Sequence, residues 1–434
     1  MDPLVAGVVG IIFLIVLFIL GMPVGFAMAF VGFAGFSYLV SPTAGLNLLA
    51  RDVFTNLSSY SLTVIPMFLL MGSIAFASGI STRLYAASHT LLGNVRGGLA
   101  MATIMACAGF AAICGSTSAT AAAMGKVALP EMKKYGYADS LATGSVASAG
   151  SLGILIPPST IFIVYGILTQ QSIGSLFLAG ILPGILLATL FVIVVAVMVR
   201  RNPALAPAGQ STTFKEKLAG VSGVTEMMLL FFLVMGGLFA GWFSPVQAGA
   251  VGAAGALLIG IARRNLSWQA FKDAIIETVK VTCEIMIIVT GAIILGHFIA
   301  VTTIPNMLSG WISGLGLPDV AVIAMIILMY LIGGLFMDSL AMITLTIPII
   351  YPLVLAMGFD PIWFGVIIVL VTEMGVITPP VGINVYVIKG ITKGISLETI
   401  FKGIIPFLIA IIICVALLLA FPKIATFLPG IASY

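Results

Sequence analysis

"GILIPPSTIFIVYG" (residues 153–166) sets two adjacent prolines inside a run of side chains otherwise oily enough to sit in hydrocarbon. No regular helix runs through such a pair, because each proline lacks a backbone N–H and pushes the residue before it out of the helical region. Backbone that leaves a helix at membrane depth exposes unpaired N–H and C=O groups, so such a break survives only where protein, water or ligand satisfies them. The arrangement returns as "GVITPPVGINVYVIKG" (residues 375–390). Two interrupted helices at corresponding places are the mark of a duplicated membrane protein that binds something at the interruption.

Composition agrees with that setting. Of 434 residues 61% are hydrophobic and 7% charged, against about 25% charged in soluble domains, which excludes a water-soluble globule. The first apolar run begins at Met1 and Asp2 without a basic region or a small-residue cleavage site, so it is expected to stay as a helix rather than leave as a signal peptide. Cys107, Cys114, Cys283 and Cys414 lack CxxC spacing and are expected to be buried, reduced thiols. Apolar runs of crossing length lie near 4–21, 23–40, 61–79, 180–199, 224–241, 245–262, 281–301 and 403–421. Two further runs, 138–167 and 361–390, carry the proline pairs. Two more, 98–135 and 320–353, have small or polar centres, which suits hairpins that enter and leave by one face.

A shift of 222 residues superposes Pro23 on Pro245, Pro130 on Pro352, Gly136 on Gly358, Gly153 on Gly375, and Pro157–Pro158 on Pro379–Pro380. The same shift sets "GSTSATAAAMG" (115–125) against "MDSLAMITLTIP" (337–348), with Ser116 on Asp338 and Thr117 on Ser339. Residues 1–205 and 223–434 therefore read as two homologous halves joined by a cytoplasmic linker, 206–222. The fold expected is an all-α polytopic membrane protein in which each half has five spanning segments, one of them broken at Pro-Pro, and one re-entrant hairpin. Five is odd, so the halves would insert with inverted topology. The positive-inside rule supports that path: with both termini outside, every Lys and Arg except Arg51, Lys423 and the hairpin's own Lys126 falls on the cytoplasmic side.

Inverted halves with paired broken elements point to a secondary transporter whose site lies between them. Small residues let hairpin legs pack closely, and the tips carry oxygens. Gly115, Ser116, Thr117 and Ser118 with Pro157, Ser159 and Thr160 form one candidate cation site; Asp338, Ser339, Thr378, Pro379, Gly382 and Asn384 form the other. Ser116, Thr120, Pro158, Ser339, Pro380 and Asn384 are candidates for the substrate pocket. A carboxylate within the bilayer is costly, which makes Asp338 a functional residue by default. One acid among carbonyls and hydroxyls suits sodium better than a divalent metal, so no divalent site is expected. A proton on Asp338 or Glu373 is the competing charge carrier.

"GSTSATAAAMGKVALPEMKKYGY", "GILIPPSTIFIVYG", "MDSLAMITLTIPIIYP" and "ITPPVGINVYVIKG", in this order, resemble the large membrane subunit of the tripartite ATP-independent periplasmic (TRAP) transporters, the DctM-like family. The resemblance covers essentially the whole chain. It implies a sodium-driven importer of organic acids such as C4-dicarboxylates or sialic acid, working as an elevator in a bacterial or archaeal cytoplasmic membrane. It also implies two partners, a small four-helix membrane subunit and a periplasmic substrate-binding protein, and no cofactor beyond two or more coupling sodium ions. The small subunit is expected on a separate chain, since the first crossing segment already belongs to the first half. Two rivals differ in kind: a stand-alone sodium- or proton-coupled dicarboxylate or citrate symporter of similar plan, and an intramembrane hydrolase using a tip serine with Lys126 as base.

The remaining features read as scaffold. Residues 41–57, 80–92 and 265–279 are amphipathic and suit interfacial arm helices. Trp242, Trp268, Trp311 and Trp363 fall near predicted membrane boundaries, as belt residues do. His89 and His297 have no partner at ligand spacing in the sequence, and Lys126 is expected to snorkel along its hairpin leg.

Overall fold

The computed structural model describes residues 2–207, 214–314 and 316–432. Within them the chain is helical, with no strand. The first half runs α1 (Pro3–Ile19), α2 (Val24–Leu39), α3 (Pro42–Leu57), α4 (Val64–Ala77), α5 (Ile80–Leu92), α6 (Gly98–Cys114), α7 (Thr117–Lys134), α8 (Asp139–Gly150), α9 (Leu152–Leu155), α10 (Thr160–Thr169) and α11 (Ile173–Arg201). The second runs α12 (Phe214–Phe231), a π-helical segment leading into α13 (Gly237–Phe239), α14 (Pro245–Ala262), α15 (Trp268–Val301), α16 (Ile304–Gly314), α17 (Asp319–Gly334), α18 (Ser339–Ala356), α19 (Pro361–Ile377), α20 (Ile383–Ile391), α21 (Leu397–Ala420) and α22 (Lys423–Ile431).

Six helical spans are long and apolar enough to cross a membrane, namely α11, α14, α15, α18, α21 and the interrupted run α8–α10, or seven if α3 and α4, bent by 52° at their junction, count as one. Others expected to cross, such as α1, α2 and α19, are apolar but shorter, because Gly21, Pro23 and the proline breaks cut them off. Helix limits recur at the offset read from the prolines: Thr117–Lys134 and Ser339–Ala356 are related by 222 at both ends. Pro157–Pro158 and Pro379–Pro380 are both cis. Of the expected linker, residues 208–213 lie outside the described residues, and α12 begins at Phe214, earlier than the composition suggested.

The halves differ in one large element. α3 and α4 are separated at Ser58–Tyr60, where the Ser58 hydroxyl turns back to the Phe54 carbonyl at 2.7 Å, as serines that compete with helix hydrogen bonds do. The corresponding stretch of the second half has no breaker between Val279 and Glu284, and α15 continues for 34 residues. The arm expected over 265–279 is therefore fused to the span that follows it.

Small residues bring helices into backbone contact. A Cβ added to Gly25 on α2 would stand 2.8 Å from the Ile287 carbonyl of α15. The main buried core draws on both halves, and the half-helices cross over: α10 packs on α18, and α20 packs on α7 and α8. Tyr165 on α10 is fully buried and donates to the Pro361 carbonyl at the start of α19, 2.6 Å away.

Polar clamps hold the periphery. Glu226 on α12 pairs with both Arg83 of arm α5 and Arg263 at the end of α14. His297 on α15 meets Asp52 of arm α3 at 3.2 Å, a carboxylate that sequence spacing had not offered it. Trp242, Trp268 and Trp311 are exposed as belt residues should be, whereas Trp363 is buried and donates to the Leu418 carbonyl at 2.9 Å. Three cysteines are buried as expected, but Cys283 is exposed on the outer face of α15.

Candidate functional site at the hairpin tips and helix breaks

Each hairpin turns at a tip whose outgoing leg is capped by its own side chain. Ser116 accepts the Ala119 N–H at 3.4 Å to start α7. At the equivalent place Asp338 Oδ1 accepts the N–H groups of Leu340 and Ala341, at 2.8 and 3.1 Å, to start α18. A serine or carboxylate oxygen at this position satisfies N–H groups that the first helical turn leaves free, and an acid there also opposes the positive end of the helix dipole.

The first tip is seated on the first break. Gly115 has φ +64, and a Cβ on it would lie 2.7 Å from the Pro158 carbonyl oxygen. Thr160 donates from its hydroxyl to the Gly115 carbonyl at 3.0 Å, while Ser159 caps α10 by accepting the Phe162 N–H at 3.3 Å. Pro157, Pro158 and Ser159 are all buried. Gly153 admits the tip from below, since a Cβ there would meet the Ser116 carbonyl at 2.5 Å and Thr120 Oγ1 at 2.9 Å.

The second set is not gathered in the same way. The Thr378 hydroxyl returns to the Met374 carbonyl of its own helix, and Pro379 and Pro380 are exposed. Gly382 faces Phe401, and Asn384 is fully buried and donates to the Ala147 carbonyl of α8, 3.2 Å away. Asp338 and Ser339 nevertheless line one cavity with Val376 and Ile383, which flank this break. The crossover of α20 onto α7 and α8 carries Asn384 towards the first half.

What does join the tips is Glu373, only 1% exposed. Its Oε2 accepts from the Thr117 hydroxyl at 3.0 Å and its Oε1 from the Ser339 hydroxyl at 2.9 Å. Around it lies a cavity of about 400 Å³ lined by Ser116, Thr117, Ser118 and Thr160 from one side and by Asp338, Ser339 and Glu373 from the other. The rest of the wall is mainly apolar, from α4, α15 and the ends of the broken helices. Glu284 of α15 also faces this space. Sequence reading passed over it, although an acid in a run of crossing length is itself a signal. The lining contains Asp338, Glu373 and Glu284 and no Lys, Arg or His, so its field favours a cation. Lys126 instead lines a separate space with Asp273 and Glu277, its Nζ 6.0 Å from the Phe76 ring centre.

Residues 11–424 match the family described as the tripartite ATP-independent periplasmic transporter, DctM component. The chain belongs to the DctM family. Among its relatives, the C4-dicarboxylate TRAP transporter large permease protein DctM of Pseudomonas aeruginosa is 34% identical, over 90% of this chain and 91% of that protein. The isethionate TRAP transporter permease protein DctMQ of Oleidesulfovibrio alaskensis is 32% identical over 96% of this chain, which spans 64% of that longer protein. The sialic acid TRAP transporter large permease protein SiaM of Vibrio cholerae is 32% identical over 94% and 95% of the two chains. The fold is shared with the solved YdaH transporter of Alcanivorax borkumensis, at TM-score 0.65 and 12% identity, covering 88% of this chain and 90% of that one. This DctM chain is thus a multi-pass transporter permease, as its relatives are.

Proposed function

We propose that the chain is the large membrane subunit of a TRAP system that imports a small organic acid with sodium. The observation that carries this reading is the shared cavity. Its three acids, with no basic residue beside them, disfavour an organic anion until cations have entered, and its hydroxyls offer those cations oxygen ligands. Sodium binding at the tips then has to precede or accompany the substrate, and coupling follows from electrostatics alone. A space of about 400 Å³ falls in the range of small-molecule sites and suits a C4-dicarboxylate or a sugar acid. Ser116, Thr117, Ser118 and Thr160 hold one cation near Gly115 and Pro158; Asp338 and Ser339 hold another, with Thr378 and Asn384 approaching as the second break closes.

The two halves, related by the 222-residue offset, lie inverted in a bacterial or archaeal cytoplasmic membrane with both termini outside. Loaded hairpins and broken helices move as one body against α1, α2, α14 and α15, an elevator motion. A small membrane subunit and a periplasmic binding protein complete the system; the longer DctMQ relative supports the first of these. Uptake of candidate acids into proteoliposomes, with both membrane subunits and the binding protein, tests the reading. It expects transport driven by an inward sodium gradient with the proton gradient collapsed. Equal uptake with sodium and with choline contradicts it, and full uptake without the binding protein favours the stand-alone symporter.

A further inference from the structure

Glu373 receives one hydroxyl from each half. Thr117 and Ser339 are the first residues of α7 and α18 and are equivalent at the 222-residue offset, yet both donate to the same carboxylate, one to each oxygen. The residue equivalent to Glu373 in the first half is Ser151, whose hydroxyl is spent locally on the Ser148 carbonyl at 2.6 Å. There is therefore no matching bridge on the other side. Among the described residues no ion pair reaches Glu373, so the two tip hydroxyls supply its side-chain hydrogen bonds.

We propose that Glu373 is a positioning residue that couples the two tips, so that cation binding at one raises the affinity of the other. The inference rests on the reading of the tips as sodium sites. Thr117 follows the capping residue Ser116 directly, and Ser339 follows Asp338, so a cation drawing in either cap moves the hydroxyl beside it. A buried carboxyl oxygen that loses its donor is left unsatisfied, a cost above the net worth of an ordinary hydrogen bond. Moving one tip alone incurs that cost; moving both keeps the two bonds. Such coupling is reciprocal and in proteins commonly changes affinity about fivefold or more.

Equilibrium binding of radioactive sodium to the purified full-length chain tests this without a substrate. The wild type is expected to bind cooperatively, with a Hill coefficient approaching two. Glu373→Asp keeps the charge but is too short by one methylene to reach both tips. It is expected to lower the coefficient to about one and to raise half-saturating sodium about fivefold. The number of sodium ions bound separates coupling from loss of a site: Glu373→Asp is expected to lower the coefficient with the number unchanged, whereas Thr117→Val and Ser339→Ala, which each remove a proposed ligand, are expected to lower the number as well. No saturable sodium binding by the wild type overturns the sodium reading itself. Non-cooperative wild-type binding, or cooperativity that survives in Glu373→Asp, overturns the coupling and leaves the sodium reading standing.

Discussion

The two proline breaks share a cis Pro-Pro pair at one offset, yet the first is sealed and the second is open. At the first, Pro157 and Pro158 are buried and the Thr160 hydroxyl binds the Gly115 carbonyl of the neighbouring tip. At the second, Pro379 and Pro380 are exposed and the Thr378 hydroxyl satisfies its own helix. The 222-residue offset sets the same means of interrupting a helix in the chain twice, but the groups set free are satisfied by whatever packs beside them. Tip 1 covers the first break, whereas α20 is drawn across to α7 and α8 and leaves the second uncovered. The open break belongs to the half whose tip carries Asp338, so the charge and the accessible backbone occur on the same side.

The sharpest way to break this contrast is at the tip carboxylate. Asp338→Asn keeps an oxygen for capping α18 but removes the charge, and sodium-driven uptake should fall by about a hundredfold, the scale of losing a partner in a buried ionic site; the matched change Ser116→Ala should do less. Uptake at saturating sodium measures both. Next come the glycines. Gly115→Ala forces a side chain onto a left-handed backbone, costing about 1–2 kcal/mol, and sets its Cβ 2.7 Å from the Pro158 carbonyl, a backbone atom. Gly382→Ala meets the same backbone cost at φ +62, but its Cβ faces the Phe401 ring at 3.0 Å, a side chain that is free to shift. Gly115→Ala should therefore lose more uptake at equal expression in the membrane.

The threonines give a smaller, cleaner comparison. Thr160→Val removes the bond between break and tip, worth about 1 kcal/mol, which should raise half-saturating sodium about fivefold. Thr378→Val removes a bond internal to one helix and a group that joins its cation only as the second break closes, and should shift it less. A sodium titration that finds the two equal would mean that the first tip is not held by its break. The least effect is expected from Lys126→Ala, because Lys126 lines a separate space from the tips. Uptake should persist nearly unchanged; its complete loss would revive a role for Lys126 in chemistry.

Most of the fold was legible because prolines and glycines punctuate it. The 222-residue offset located both hairpins and both breaks, since no side-chain packing makes a Pro-Pro pair helical. The fusion of arm and span in α15 was not legible, because nothing in residues 265–301 states whether a helix without a breaker continues or turns. At the site, Ser116, Thr117, Ser118, Asp338 and Ser339 were legible at the tips and Thr160 at the first break, and all six line the cavity. The placement of Asn384 against Ala147 depends on how α20 crosses between halves, which is a matter of tertiary packing. Glu373 was visible as an intramembrane acid, but that it ties Thr117 to Ser339 is a contact across 256 residues on one side and 34 on the other. Trp363 shows the converse: its position near a boundary suggested the membrane belt, while a carbonyl partner on α21 draws it inside.

The central claim is that monovalent cations lie between the hairpin tips and the broken helices. Cryo-electron microscopy of the chain in sodium, set against the same chain in choline, tests it most directly. The account predicts density present only in sodium at two places, one enclosed by Ser116, Thr117, Ser118 and Thr160, the other beside Asp338 and Ser339 with the second break closed towards it. Maps that are alike in the two salts at both tips, or sodium-dependent density remote from both proline pairs, would contradict it.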